Sequence, residues 1–158
     1  MTSTLNTPGA AVRTALTPYI CVKDAPAAIA FYLAAFGATE SPGRMTEPGG
    51  RVGHAEVTID GVPIMLADEH PEIGVLSPQT LGGSSVSLHL IVANVDALAA
   101  RAVAAGATLL RPVTDQVYGQ RSCKLADPFG HTWMLATPIE AVSSEELQRR
   151  VAGHYTVA

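Results

Sequence analysis

The chain is built twice from the same plan. A strand-like run, a helix and three more strand-like runs follow one another, and the order then repeats. Gly37-Ala-Thr39 returns as Gly106-Ala-Thr108 about 69 residues later. Val22, at the end of the first strand of one copy, corresponds to Val92 in the other. Each copy alone would leave one face of its sheet uncovered. The copies, or two chains, must therefore pair to complete their burial.

Local signals mark the elements. Thr17–Val22 reads as a strand. Asp24 is a good N-cap, Pro26 suits the first turn that follows, and Ile29, Tyr32, Leu33 and Phe36 fall at helical spacing before Gly37. Residues 38–48 read as a weak strand and loop. Val52–Ile59 and Val62–Ala67 flank Asp60-Gly61, the strongest short hairpin signal in the chain. In the second copy, Ser85–Val92 is a strand, Asn94 caps a helix that ends at Gly106, and Thr108–Val117, Gln120–Ala126 and Thr132–Thr137 are strands. Asp127-Pro-Phe-Gly130 is a turn, and Ser143 caps a short C-terminal helix. The expected organisation is a flexible segment 1–15 and one domain over 16–138. That domain comprises modules at about 16–68 and 84–138 joined by loop 69–83, and a helix and tail follow at 139–158.

Composition narrows the function classes. Of 158 residues, 47% are hydrophobic and 15% charged, which is far from the profile of a disordered chain. The formal net charge of −4 comes without a basic run or stripe, which argues against nucleic-acid binding through phosphate neutralisation. Apolar stretches are too interrupted to span a membrane, and residues 1–11 do not read as a secretory leader. Cys21 and Cys123 lie far apart in strand-like runs, as core thiols of a reduced, cytoplasmic protein would.

Three stretches carry a family resemblance: Thr17-Pro-Tyr-Ile-Cys-Val-Lys-Asp-Ala-Pro-Ala-Ala-Ile-Ala-Phe-Tyr32, His54-Ala-Glu-Val-Thr-Ile59 with Ile64-Met-Leu-Ala-Asp-Glu69, and Asp127-Pro-Phe-Gly-His-Thr-Trp-Met-Leu-Ala-Thr137. Together with the paired βαβββ plan, they resemble the vicinal oxygen chelate superfamily of glyoxalases, bleomycin-resistance proteins and extradiol dioxygenases, in its PhnB-like branch. The resemblance implies an α+β fold in which tandem βαβββ modules form a curved half-barrel cup. It also implies a homodimer, for which uncovered sheet edges give a physical motive. The family's metal ligands, usually His or Glu, fall near Thr17, Met65, Ser87 and Met134. Hydroxyls and thioethers are poor ligands for a divalent cation, so no metal is expected there.

Strand parity then selects the residues that face the cup. A two-residue turn at Asp60-Gly61 sets Ile59 against Val62 and Glu56 against Met65, so His54 and Glu56 share the face of Met65. Tyr19 and Cys21 share the face of Thr17, and His89 that of Ser87. Setting Ala126 opposite His131 would pair Cys123 with Met134 and Arg121 with Ala136, turning Arg121 and Cys123 inward. The expected ligand-binding set is thus Thr17, Tyr19, Met65, Ser87, His89, Arg121, Cys123 and Met134, with His54 and Glu56 as a candidate acid/base pair. A displaced metal site at His54, Glu56 and His89 is the alternative. His131 and Trp133 read as turn-bonding and core residues, His70 as a loop residue at the surface, and the two cysteines as core.

Two functions of different classes follow. One is metal-independent binding of a small hydrophobic or aromatic molecule, as resistance proteins of the superfamily sequester theirs. The other is an isomerase, lyase or cyclase in which His54 and Glu56 move a proton beside a carbonyl and Arg121 holds an anionic group. Metal-dependent glyoxalase or dioxygenase chemistry stands third.

Overall fold

A computed structural model describes residues 14–158, so almost all of the expected lead-in at 1–15 lies outside the described residues. The chain divides between Gly83 and Ser84 into two compact units.

The first unit runs β1 (Tyr19–Val22), α1 (Ala25–Phe36), β2 (Thr39–Glu40), β3 (Met45–Thr46), β4 (Val52–Ile59) and β5 (Val62–Asp68), then a 3-10 turn (Pro71–Ile73) and α2 (Pro78–Leu81). Its sheet is ordered β1-β5-β4-β2, with β3 also on β4. The second runs β6 (Ser87–Ile91), α3 (Val95–Ala104), β7 (Thr108–Asp115), β8 (Gln120–Ala126), β9 (Thr132–Pro138) and α4 (Ser144–Arg150), with its sheet ordered β6-β9-β8-β7. Both units set their first strand parallel to their last, and the remaining strand pairs are antiparallel. Neither sheet closes on itself. The α+β fold of tandem βαβββ units is therefore present. Among the described residues no helix is long and apolar enough to cross a membrane.

The two helices start by the same device built from different residues. The Asp24 carboxylate accepts from the Ala27 N–H at 2.9 Å, and the Asn94 side-chain carbonyl from the Ala97 N–H at 3.0 Å. The first helical N–H is taken by the end of the unit's last strand: Ala25 donates to Asp68 at 2.6 Å, and Val95 to Thr137 at 2.9 Å. These bonds satisfy donors that a helix start leaves open. Helix α1 buries Ala28, Ile29, Phe31, Tyr32, Ala35 and Phe36, and Phe31 takes the inward place that helical spacing gave to Leu33, which is exposed. Its alanines let the backbone approach the sheet, whose covered face carries Ile20, Val22, Val57, Ile64 and Leu66. The covered face of the second sheet carries Leu90, Cys123, Leu125, Trp133 and Leu135. Full burial of such apolar side chains contributes about 1.5–3 kcal/mol each.

The first hairpin matches its sequence reading. Ile59 pairs with Val62 and Glu56 with Met65, and positive φ at Asp60 (46°) and Gly61 (84°) suits the two-residue turn. The last hairpin departs from its reading by one residue. Ala126 pairs with Thr132, Cys123 with Leu135 and Arg121 with Thr137. The reading left four residues between Ala126 and its partner and the structure leaves five, the outer two of which are tied together by Asp127 N–H donating to the His131 carbonyl at 2.9 Å. That leaves three loop residues, Pro128, Phe129 and Gly130. A slip of one residue moves every side chain of a strand to the other face.

Candidate functional site

On the first sheet the face away from α1 carries Tyr19 and Cys21 from β1, Met65 and Ala67 from β5, and His54 and Glu56 from β4. Sequence parity placed the same residues together. His54 and Glu56 turn to different partners. His54 Nδ1 lies 3.0 Å from the Tyr19 hydroxyl, with the two rings edge to face at 5.5 Å between centroids. Glu56 accepts from the Ser41 hydroxyl at 3.2 Å. Thr17 is half-buried just before β1.

A cavity of about 310 Å³ opens on this face. Tyr19, Cys21 and Ala67 line it from the sheet, and His70, Ile73 and Val75 from the segment after β5. Arg51 and Glu47 stand at the same cavity and pair with each other at 2.7 Å. Burial is the main reason the Tyr19 phenol is held above its usual pKa. Burial also pushes the Cys21 thiol up to about 11, helped by the nearby Glu69 and Asp68 carboxylates. A thiol so raised stays protonated at neutral pH, so Cys21 is a small apolar wall rather than a nucleophile.

The wall from residues 70–75 is fastened from behind. The Glu69 carboxylate accepts from the Ser77 hydroxyl at 2.8 Å, the Thr80 hydroxyl at 2.7 Å and the Ser77 N–H at 3.1 Å, and these bonds hold it below the usual carboxylate range. His70 also bridges to Val75 through paired backbone bonds of 2.8 and 3.2 Å. Loop 69–83 thus belongs to the first unit, and His70, read from sequence as a surface loop residue, lines the cavity.

In the second unit, Ser87 and His89 on β6 and Met134 on β9 share the face away from α3. Arg121 and Cys123, expected on that face, lie on the other one. Cys123 is fully buried in the core, and burial raises its thiol pKa. Arg121 donates to both carboxylate oxygens of Asp96 on α3 at 2.8 Å, and to Asp115 at 2.8 Å. The register slip at Asp127 accounts for both corrections.

Sequence reasoning missed Arg51 at the first cavity and Arg111 on the open face of the second sheet. Arg111 is opposite Lys124, and its Nη2 donates to the Ser122 hydroxyl at 3.3 Å. Trp133 is core, as expected, and its indole N–H donates to the buried Asp127 carboxylate at 3.0 Å. His131 is buried, with its backbone N–H on the same carboxylate at 2.9 Å.

The four positions where the family's metal would sit offer the hydroxyls of Thr17 and Ser87 and the thioethers of Met65 and Met134. That donor set does not fit a zinc- or iron-type cation, which takes imidazole, carboxylate or thiolate. Among the described residues no three His, Cys, Asp or Glu side chains gather as a metal site requires.

Comparison with known proteins agrees with the fold. The family model for the Glyoxalase/Bleomycin resistance protein/Dioxygenase superfamily matches residues 12–135. An uncharacterised protein of Mycobacterium bovis is 43% identical over 140 residues, covering 87% of this chain and 91% of the relative. The crystal structure of a gene product from Arabidopsis thaliana superposes with a TM-score of 0.63 at 30% identity, over 79% of this chain and 99% of that one. A PhnB protein from Bacillus cereus superposes with a TM-score of 0.58 at 22% identity, over 78% of this chain and 99% of that one.

Proposed function

The chain belongs to the glyoxalase/bleomycin resistance protein/dioxygenase superfamily, and on that footing we propose that it binds a small hydrophobic or aromatic molecule without the help of a metal, on the open face of its first sheet. The observation that carries this reading is the cavity of about 310 Å³, with apolar walls from Tyr19, Cys21, Ala67, Ile73 and Val75 and a few polar groups at His70, Arg51 and Glu47. Small-molecule sites are commonly hollows of about 300–1,000 Å³ made this way. Tyr19 supplies an aromatic edge at low entropic cost, and Met65 beside it on β5 adapts to ligand shape. Thr17, His54 and Glu56 add polar contacts on the same unit. The donor set at the family's metal positions supports the metal-independent form of the reading. A homodimer is part of the proposal, since among the described residues β1 and β6 each stand at the end of a sheet.

A screen of small aromatic compounds against the full chain in chelator, by calorimetry, tests the reading. Saturable binding of one compound per chain is expected, weakened about 10- to 100-fold by Tyr19→Ala as one large contact is lost. Binding that appears only on adding a metal, or that Tyr19→Ala leaves unchanged, would contradict it.

A second reading rests on the contact between Tyr19 and His54. When the phenol donates to the Gly53 carbonyl, 3.2 Å away, Nδ1–H of His54 donates to the phenol oxygen, and Nε2 keeps its lone pair. An imidazole oriented in this way is suited to take a proton from a carbon beside a carbonyl, as an isomerase, lyase or cyclase requires. The same screen read for turnover separates the two: in this reading His54→Ala abolishes product formation while leaving binding.

A further inference from the structure

Arg111 differs from five arginines that are paired. Arg44, Arg51, Arg121, Arg149 and Arg150 each hold a carboxylate. Among the described residues Arg111 has no ion pair, and neither does Lys124, which lies directly opposite it on β8. Arg111 is nevertheless half-buried, and its Nε–H is sealed from solvent with no acceptor. Its one hydrogen bond goes from Nη2 to the Ser122 hydroxyl. A buried guanidinium donor is ordinarily satisfied, and a half-sunk charge without a counter-ion is costly.

The backbone is irregular at the same place. β7 loses register with β8 on both sides of Arg111: Leu109 pairs with Leu125, Arg111 with Lys124 and Thr114 with Ser122. Regular pairing would set Leu110 opposite Lys124. The bulge instead turns the guanidinium onto the open face, and bulges serve this purpose beside functional sites. Across the sheet the row reads His89, Met134, Lys124, Arg111, and no Asp or Glu among the paired strand residues shares that face. Asp115, the nearest acid on β7, pairs with Arg121 on the other face.

We propose that Arg111 and Lys124 form an oxyanion subsite on the open face of the second sheet, which takes the carboxylate or phosphate group of a small molecule. Ser122 holds the guanidinium in place from one side. The Cβ atoms of directly opposed residues lie about 4.5–5.5 Å apart, so one oxyanion reaches both side chains. Arg supplies the directional fork and Lys the point charge. The subsite goes beyond the ligand reading for the first unit and stands separately from it.

The test is calorimetric titration of the full chain with inorganic phosphate and, separately, with acetate, at an ionic strength fixed by chloride. Saturable binding of at least one is expected, and the one that binds identifies the group. Arg111→Gln should weaken it at least about tenfold, as a charged hydrogen-bond donor is lost. Lys124→Gln should weaken it less, and Arg44→Gln, which removes a paired surface charge on the first unit, should leave it unchanged. If Arg111→Gln does not fold by circular dichroism, Arg111→Lys and Lys124→Gln decide. No saturable binding of either anion would overturn the proposal, and so would equal binding in the Arg111 and Lys124 variants and the wild type.

Discussion

Asp127→Asn should cost the protein about 2–3 kcal/mol of stability, although it only replaces one oxygen of one turn by an NH₂ group. The Asp127 carboxylate is buried and takes three N–H groups: those of Phe129 and His131 at 2.9 Å on one oxygen, and the Trp133 indole at 3.0 Å on the other. Asparagine keeps an oxygen for the two backbone donors and turns an NH₂ toward the indole N–H. Two buried donors then face each other, and an unsatisfied donor of this kind costs about 1–3 kcal/mol before the loss of the charge-assisted bonds. Trp133→Phe removes the opposing donor, so the double variant should lose less than the two single losses added together. Urea unfolding of the four proteins measures this. Strict additivity, or a single-variant loss below about 0.5 kcal/mol, would show that the carboxylate does not hold the turn.

Gly119→Ala should cost about 3 kcal/mol or more. Gly119 has φ 86°, and a Cβ there would sit 2.8 Å from Val142 Cγ2 and closer still to the Glu140 carbonyl oxygen. The Gly119 carbonyl accepts from the N–H groups of Ile139 and Glu140, at 2.9 and 3.1 Å. Arg150 closes the same junction by donating to the Val117 carbonyl at 3.0 Å and to Glu140 at 2.7 Å. Alanine pays about 1–2 kcal/mol for the left-handed backbone, and the clash adds about 1–3 kcal/mol. Gly61 is the control: its φ is 84°, but nothing lies within 4 Å of its added Cβ, so Gly61→Ala should cost only the backbone strain. Limited proteolysis should cut the Gly119 variant near Arg149 and Arg150 much faster than wild type. Equal losses at the two glycines would mean that the C-terminal segment does not bear on Gly119.

The repeat, the caps and the first hairpin were legible because each depends on residues close in sequence. Asp24 and Asn94 cap their helices through a neighbour three residues on, and Asp60-Gly61 sets its own turn. Parity from that turn placed His54, Glu56 and Met65 on one face, and the family resemblance, through Thr17, put Tyr19 there too. The second hairpin defeated the same method. The bonds that the Asp127 side chain accepts hold one more residue in the turn than the reading allowed, and strand patterning gives no warning of that. Arg121 and Cys123 were misplaced for this reason alone. Arg111 was missed for a related one, since a bulge breaks the alternation from which a face is read. His70 and the wall at Ile73 and Val75 depend on the Glu69 clamp, which joins residues 8 and 11 positions apart within a loop.

The claim that this chain keeps the superfamily's fold without its metal is tested most directly by metal content. The full chain would be purified without chelator, incubated in turn with zinc, nickel, manganese and ferrous iron, desalted, and analysed by mass spectrometry. The donor set of Thr17, Met65, Ser87 and Met134 predicts far less than one metal ion per chain in every case. One tightly held ion per chain would contradict the account and return His54, Glu56 and His89 to consideration as ligands.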